Sequence, residues 1–232
     1  MRDFKRRRYV FAFIISAAIF FLGFFFGFLM DIQRVDYFKS ENELNRMNLQ
    51  SLQLQSELVQ NNAITNQCSA FRFMFNRFVV ELENNRERIE LYSQQANIKE
   101  SDFELLKREY TLSQINFWQI SKDVKTYCPN ESDVVSIIYF YSDNEHCPTC
   151  DDQAAVLDFY KRKLKNNLLI FALDEQFDQE PLITLLKQAY NVEYYPTLII
   201  DGELVYKDVS QEELQEILCS RYRGRETISQ IC

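Results

Sequence analysis

The sequence contains few of the residues that interrupt regular secondary structure. Only four glycines and four prolines occur among its 232 residues. Both residues are unfavourable inside helices, and their scarcity beside many Leu, Gln, Glu and Asn predicts a helix-rich chain with short connections. The sequence contains no internal repeat and no low-complexity segment, which excludes repeat arrays and compositionally biased linkers.

Positive charge is scarce over most of the chain. The formal net charge is −8, and because the first nine residues carry +4, the remainder carries −12. An acidic surface repels polyanions, which disfavours nucleic acid and anionic membrane surfaces as partners. We therefore predict no nucleic-acid partner.

Metal-ligating residues are also few. The chain has a single histidine, and its six cysteines include one closely spaced pair, Cys147 and Cys150. A structural zinc site needs four ligands, so a site at this pair would lack two of them. Six cysteines are too few for a disulfide scaffold of this size. We predict no metal and no cofactor besides a redox-active disulfide.

A long apolar run follows a basic tail at residues 1–9. Residues 10–30 carry no charge and include eight phenylalanines. At 1.5 Å per residue the run spans about 31 Å, roughly the hydrocarbon thickness of a bilayer, and it exceeds the apolar region of a cleaved signal peptide. This pattern predicts a single-pass transmembrane helix, with a cytoplasmic N-terminus and the main domain outside the cytoplasm.

Residues 31–130 form a predicted helical stalk, hairpin or coiled coil. Apolar residues recur at spacings of three and four from Tyr37 to Thr65, and two amphipathic helices follow. A homodimer is possible through the stalk helices. It is also possible through the apolar run, where the spacing of Gly23 and Gly27 would let two helices pack closely. The alternative is that the two glycines occur at this spacing by chance and have no role in dimerisation.

The cysteines outside the close pair have predicted partners. Cys68 begins one amphipathic helix and Cys128 ends the next, and in an antiparallel hairpin these two ends are neighbours. We therefore predict a structural Cys68 to Cys128 disulfide. Cys219 and Cys232 would then form the second one.

The close cysteine pair follows a predicted strand, Val135 to Tyr141, and a polar turn. A helix predicted from near Cys147 to about Lys165 would place Cys147 at its N-terminus, where the macrodipole favours a thiolate. Cys150 lies one turn further on and could form a disulfide with Cys147 or resolve a mixed disulfide.

Two charged residues immediately precede the pair. His146 would stabilise the Cys147 thiolate when the imidazole is protonated. Glu145 would act in the opposite direction. Both are candidates for tuning the pKa of the nucleophile.

The segment from 131 to 220 reads as strand, helix, strand, helix, two strands and helix. The two-residue turn Asp201-Gly202 predicts a hairpin between the last two strands, and Ser210 with Glu213 forms a capping box for the last helix. This order predicts an α/β layered domain with a mixed sheet, followed by a tail at 221–232.

This element order, the CPTC motif and the later Tyr-Pro-Thr sequence resemble the thioredoxin superfamily over residues 133 to 220. The resemblance implies that Cys147 is the nucleophile and Cys150 the resolving thiol. It also implies a cis proline at Pro196 that lines the substrate side, flanked by Tyr195, whose backbone would bind the substrate chain, and Thr197.

The sequence departs from the family at one position beneath the motif. Many thioredoxins carry a buried acid about six residues before the first cysteine, where this chain has Tyr141, or Phe140 if the register differs by one. Glu145 or a water would have to accept the proton of the resolving thiol.

The predicted fold class is therefore α/β, a thioredoxin-like βαβαββα domain preceded by a transmembrane helix and a helical region. The predicted function is a membrane-anchored extracytoplasmic thiol-disulfide oxidoreductase. Its partners would be protein thiols or disulfides and an electron donor or acceptor, which could itself be membrane-bound. The alternative is an anchored scaffold protein whose helical region binds partners and whose thioredoxin-like domain is not catalytic. An exposed CPTC motif counts against that alternative.

Overall fold

The computed structural model describes residues 13–25, 66–93, 100–128, 133–222 and 231–232, with scattered helical positions between 47 and 58. The chain divides into two compact units, Met1–Leu54 and Gln55–Cys232. In chain order, the elements of the second unit are α1 (Gln67–Ser93), α2 (Glu100–Tyr127), β1 (Val135–Tyr141), α3 (Cys150–Leu164), a 3₁₀ turn (Lys165–Asn167), β2 (Leu168–Asp174), α4 (Pro181–Ala189), β3 (Thr197–Ile200), β4 (Leu204–Lys207) and α5 (Gln211–Arg221).

The four strands form one mixed sheet in the order β2-β1-β3-β4. Strand β1 pairs in parallel with β2 and antiparallel with β3, and β3 pairs antiparallel with β4. The turn between β3 and β4 has positive φ angles at Asp201 and Gly202, the conformation that a tight two-residue hairpin requires. Strand β1 therefore lies inside the sheet, and six of its seven residues are buried.

Helices cover both faces of the sheet. On one face, alternate residues of β1 pack against α3 and α5 in a single apolar cluster, which includes Val135, Ile137, Tyr139, Leu157, Tyr160, Leu164, Leu214 and Leu218. On the other face, the ring of Phe117 in α2 lies 5.6 Å from that of Phe171 in β2 and 5.0 Å from that of Phe75 in α1. The helical hairpin α1–α2 therefore packs on the sheet through α2.

The α/β fold class predicted for the chain is wrong, because the structure is mostly helical and its sheet is small. Helices α1 and α2 alone contain 27 and 28 residues, whereas β3 and β4 contain four each. The low glycine and proline content already favoured long helices. The elements from β1 onward nevertheless follow the order that the sequence predicted.

The predicted membrane helix is also corrected. Among the residues that the structure describes, none of the helices combines the length and the apolar character needed to cross a bilayer. The single-pass, extracytoplasmic localisation was inferred from that helix and is wrong with it.

Several predictions fall on residues that the structure does not describe. The basic tail 1–9, the ends of the apolar run at 10–12 and 26–30, and most of the proposed helix from 37 to 65 lie outside the described residues. Gly23 is described, but Gly27 is not. The coiled coil and the homodimer therefore stay predictions.

Candidate functional site

Cys147 and Cys150 form a disulfide, with 5.4 Å between their Cα atoms. Helix α3 begins at Cys150, so the predicted helix start near Cys147 is displaced by three residues. The physical reason is Pro148, because a residue that precedes proline is disfavoured in the helical conformation. Cys150 therefore takes the first helical position, and Cys147 lies in the turn before it.

The disulfide is covered. Cys147 is 0% exposed and Cys150 is 2% exposed, whereas the neighbouring residues 143–146, 148 and 149 are all exposed. The exposed motif that the sequence predicted is therefore wrong as far as the two cysteines are concerned. A reagent or substrate can reach the sulfurs only if residues around them move.

Asp143 builds the turn that leads into Cys147. Its main-chain oxygen accepts hydrogen bonds from the N–H groups of Cys147 at 2.8 Å and of His146 at 3.2 Å. Its carboxylate Oδ1 also accepts from the His146 N–H at 2.9 Å. Aspartate side chains commonly close turns in this way, by bonding to the backbone a few residues ahead.

The imidazole of His146 is paired with the same carboxylate. Its Nδ1 lies 2.6 Å from Asp143 Oδ1, and Gln176 Nε2 donates to Asp143 Oδ2 at 3.0 Å. The hydrogen bonds from His146 lower the pKa of Asp143 to about 2, and the bond to Asp143 raises the pKa of His146. The positive charge that would act on Cys147 is therefore shared with Asp143.

Phenols occupy the region beneath the motif. Tyr141 is the last residue of β1, and burial followed by the charge of Asp174 raises its pKa to about 12. Tyr139 is buried, and its hydroxyl donates to the main-chain oxygen of Cys150 at 2.6 Å. Burial also raises the pKa of Tyr139. Tyr139 thus anchors the first residue of α3, a role that the sequence did not suggest.

Glu175 joins three elements beside the motif. Its carboxylate accepts from Ser142 Oγ at 3.1 Å and from Lys187 Nζ in α4 at 2.8 Å, and it is hydrogen-bonded to Tyr195. Burial opposes its ionisation, but the bonds from Lys187 and Tyr195 outweigh burial and lower the pKa of Glu175. Glu175 therefore ties the end of β1 to the segment that precedes Pro196.

The segment before β3 lies at the same end of β1 as the motif. The register pairs Phe140 with Thr197, and the Tyr195–Pro196 peptide bond is cis. Pro196 and Thr197 are buried, and Thr197 Oγ1 donates to the main-chain oxygen of Tyr194 at 2.6 Å. Tyr195 is half-buried. The substrate-side roles of these residues stay predictions.

Glu145 is exposed next to His146. Its predicted roles, to oppose the charge of His146 and to accept a proton, stay predictions. Across the described ranges, no group of three or more His, Cys, Asp or Glu residues is arranged to hold a metal ion.

The other four cysteines form the two pairs named from the sequence. The Cα atoms of Cys68 and Cys128 are 5.2 Å apart, and those of Cys219 and Cys232 are 5.9 Å apart. Each pair is bonded within itself, so neither bond involves the CPTC motif.

Sequence reasoning missed Asp143, Glu175, Gln176 and Lys187 as parts of this site. A signal for three of them was present, because β1 and β2 are parallel and end together at Tyr141 and Asp174. Polar residues directly after two adjacent parallel strands must meet at one edge of the sheet, the edge at which such sheets usually bind ligands.

Neither a protein-family model nor a curated protein matches the chain. A solved structure of a malarial protein is 18% identical, with 39% of this chain and 99% of that chain covered and a TM-score of 0.32. The crystal structure of the J-Trx1 fragment of ERdj5, a thioredoxin-like fragment, is 16% identical, with 75% of this chain and 90% of that chain covered and a TM-score of 0.32. At this TM-score neither likeness bears on function.

Proposed function

We propose that the chain is a thiol-disulfide oxidoreductase that exchanges electrons with protein thiols or disulfides through Cys147 and Cys150. The observation that carries the proposal is the disulfide between these residues, three positions apart at the turn from β1 into α3. A bond that closes so short a loop adds little to stability compared with one that closes a long loop. Its position therefore favours a chemical role.

The proposed reaction has two exchange steps. In the reducing direction, the Cys147 thiolate attacks one sulfur of a substrate disulfide, forms a mixed disulfide and releases the other substrate sulfur as a thiolate. The Cys150 thiolate then attacks the Cys147 sulfur, restores the intramolecular disulfide and releases the second substrate thiolate. Two electrons pass to the substrate, and a thiol reductant must return two to the protein. The oxidising direction is the reverse.

The surroundings of the pair support this division of roles. Cys147 directly follows His146, whose raised pKa keeps the imidazole protonated over a wider pH range, with its charge shared with Asp143. Cys150 is fixed from below by the Tyr139 hydroxyl, as a resolving thiol that must stay near Cys147 would be. With a tyrosine in the place of the buried acid, Glu145 or a water is the proposed acceptor of the Cys150 proton.

The test is a pair of single substitutions. Cys147→Ser abolishes insulin reduction and dithiol oxidation, whereas Cys150→Ser accumulates a mixed disulfide between Cys147 and the substrate, visible by mass spectrometry. The matched control is the double variant Cys219→Ser/Cys232→Ser, which keeps exchange activity. Full activity in Cys147→Ser would refute the proposal.

A non-catalytic role as a partner-binding protein is the second candidate. One structural observation favours it, since Cys147 is 0% exposed. One sequence feature also favours it, because Tyr141 or Phe140 occupies the position at which the resemblance implies an acid. The reduction potential and the pKa of the Cys147 thiol separate the two candidates. A thiol that titrates near its ordinary pKa of about 8.5, with no exchange activity, favours the partner-binding role.

A further inference from the structure

The turn of residues 143–146 precedes the buried Cys147 and is held by hydrogen bonds to residues outside it. Asp143 receives the Cys147 N–H on its main-chain oxygen and the His146 N–H on its carboxylate. The turn residues 143–146 are exposed, yet Cys147 is fully buried. Since packing of exposed side chains cannot hold the turn in place, these hydrogen bonds must do so.

Gln176 binds the second carboxylate oxygen of Asp143, Oδ2. Its Nε2 donates to Asp143 Oδ2 at 3.0 Å. Gln176 is fixed in turn, because its own N–H donates to Asp174 Oδ1 at 3.0 Å. Both carboxylate oxygens of Asp143 are therefore engaged, and the position of the turn depends on the position of Asp174.

Helix α2 holds Asp174. Lys107 Nζ lies 2.5 Å from Asp174 Oδ2, and both side chains are partly buried. The next residue of the helix, Arg108, donates through Nε to Glu180 Oε2 at 3.1 Å, and the Glu180 side chain is 4% exposed. Helix α2 thus contacts both ends of the segment that connects β2 to α4.

These contacts form one continuous path from α2 to the buried cysteine. We propose that Lys107 and Gln176 are positioning residues for disulfide exchange: through Asp174 and Asp143 they hold the turn that covers Cys147, so that α2 controls access to the Cys147–Cys150 bond. The inference rests on the proposed function for its consequence, since access matters only where the bond exchanges. The path itself is independent of that function.

The experiment measures access to the bond directly. The oxidised full-length chain is exposed to dithiothreitol, quenched with N-ethylmaleimide at intervals, and the two states of each disulfide are counted by mass spectrometry. The Cys219–Cys232 bond, in which Cys232 is exposed, is the internal reference. Gln176→Ala accelerates reduction of Cys147–Cys150 about twofold to tenfold, the factor that corresponds to one lost hydrogen bond, and leaves the reference rate unchanged.

Variants of Lys107 separate positioning from general destabilisation. Lys107→Ala accelerates reduction of the same bond by about twofold to fivefold. Lys107→Arg restores the wild-type rate, because a guanidinium group can pair with Asp174. The matched control is Lys122→Ala, a lysine of the same helix that lies over the Trp118 ring and outside the path, and it has no effect on this rate.

Two results would overturn the inference. One is an unchanged Cys147–Cys150 reduction rate in both Gln176→Ala and Lys107→Ala, and the other is an equal acceleration of the reference bond. Because the assay needs no turnover, it is independent of the proposed function. If the protein had no insulin-reducing activity but the variants still changed the reduction rate, the proposed function would be refuted. The proposal that α2 controls access to the disulfide would still be supported.

Discussion

The helical hairpin α1–α2 and the motif turn are each closed by a disulfide, but different forces hold them. The hairpin disulfide joins Cys68 and Cys128, 60 positions apart, above buried aromatic rings. The motif disulfide joins residues three positions apart, in a turn held by hydrogen bonds among exposed side chains. Loop-closure entropy gives the first about 4 kcal/mol and the second about 1.6 kcal/mol. The hairpin disulfide therefore contributes more to the free energy of unfolding than the motif disulfide does.

The largest expected effect tests whether the hairpin is held by packing on the sheet. Phe117 is 1% exposed, and its ring contacts those of Phe75, Phe78 and Phe171. Phe117→Ala lowers the free energy of unfolding by about 3 to 5 kcal/mol, measured by urea denaturation followed by circular dichroism. Phe73→Ala, at a position that is 63% exposed, changes it by less than about 0.5 kcal/mol. Equal effects would contradict the packing.

The second prediction compares the two disulfides directly. Cys68→Ser/Cys128→Ser loses about 4 kcal/mol of unfolding free energy, and Cys147→Ser/Cys150→Ser loses about 1.6 kcal/mol, because the second bond closes a much shorter loop. The urea midpoints of the two double variants give the measurement. A greater loss in the motif variant would reverse the assignment of structural and reactive disulfides.

A smaller effect concerns a hydrogen bond between two side chains of the hairpin. Asn85 Nδ2 donates to Ser113 Oγ at 2.8 Å, and both residues are buried. Ser113→Ala leaves the Asn85 donor without this acceptor and costs about 1 to 3 kcal/mol in urea denaturation. Asn85→Leu/Ser113→Ala removes both polar groups and costs less than the single change. A larger loss in the double variant would mean that volume, and not polarity, decides this contact.

The hairpin was largely predictable from the sequence. Apolar residues at helical spacing define α1 and α2, and the positions of Cys68 and Cys128 at neighbouring helix ends were enough to name their disulfide. The Asp201-Gly202 turn and the Ser210 capping box were equally readable, because each depends on residues close in sequence. Helix positions, tight turns and helix caps are predictable because they depend on local residue patterns or on long periodic stretches.

The motif turn was only partly predictable. Pro148 displaced the start of α3, a local rule that the helical spacing of later residues concealed. The contact of Asp143 with Gln176 spans 33 positions and exists only because β1 and β2 are parallel and end in register. The burial of Cys147 follows from those contacts. The membrane helix predicted at 10–30 rested on composition and run length alone, and among the described residues none of the helices has the length and apolar character to cross a bilayer.

The smallest expected effect tests the hydrogen bonds of the motif turn. His146 is the only histidine of the chain, so a single set of imidazole resonances reports on it in an NMR titration. The hydrogen bond to Asp143 raises the pKa of His146 above its usual 6.5, and Asp143→Asn returns the pKa toward that value. The matched control is Glu145→Gln, which removes a neighbouring carboxylate that is not hydrogen-bonded to the imidazole. It lowers the pKa of His146 less than Asp143→Asn does.

The sign of the pH dependence follows from the raised pKa. The contribution of the His146–Asp143 pair is fully present between the ordinary pKa values of about 3.8 for Asp143 and about 6.5 for His146. It is lost as the pH rises through the raised pKa of His146 or falls through the lowered pKa of Asp143. The hydrogen bond from the His146 N–H to Asp143 does not titrate, so the turn keeps part of its support above that range. A His146 pKa at its ordinary value that Asp143→Asn does not change would show that the imidazole is not paired with this carboxylate. The motif would then lose one of the hydrogen bonds on which its contrast with the packed hairpin rests, at the residue before Cys147.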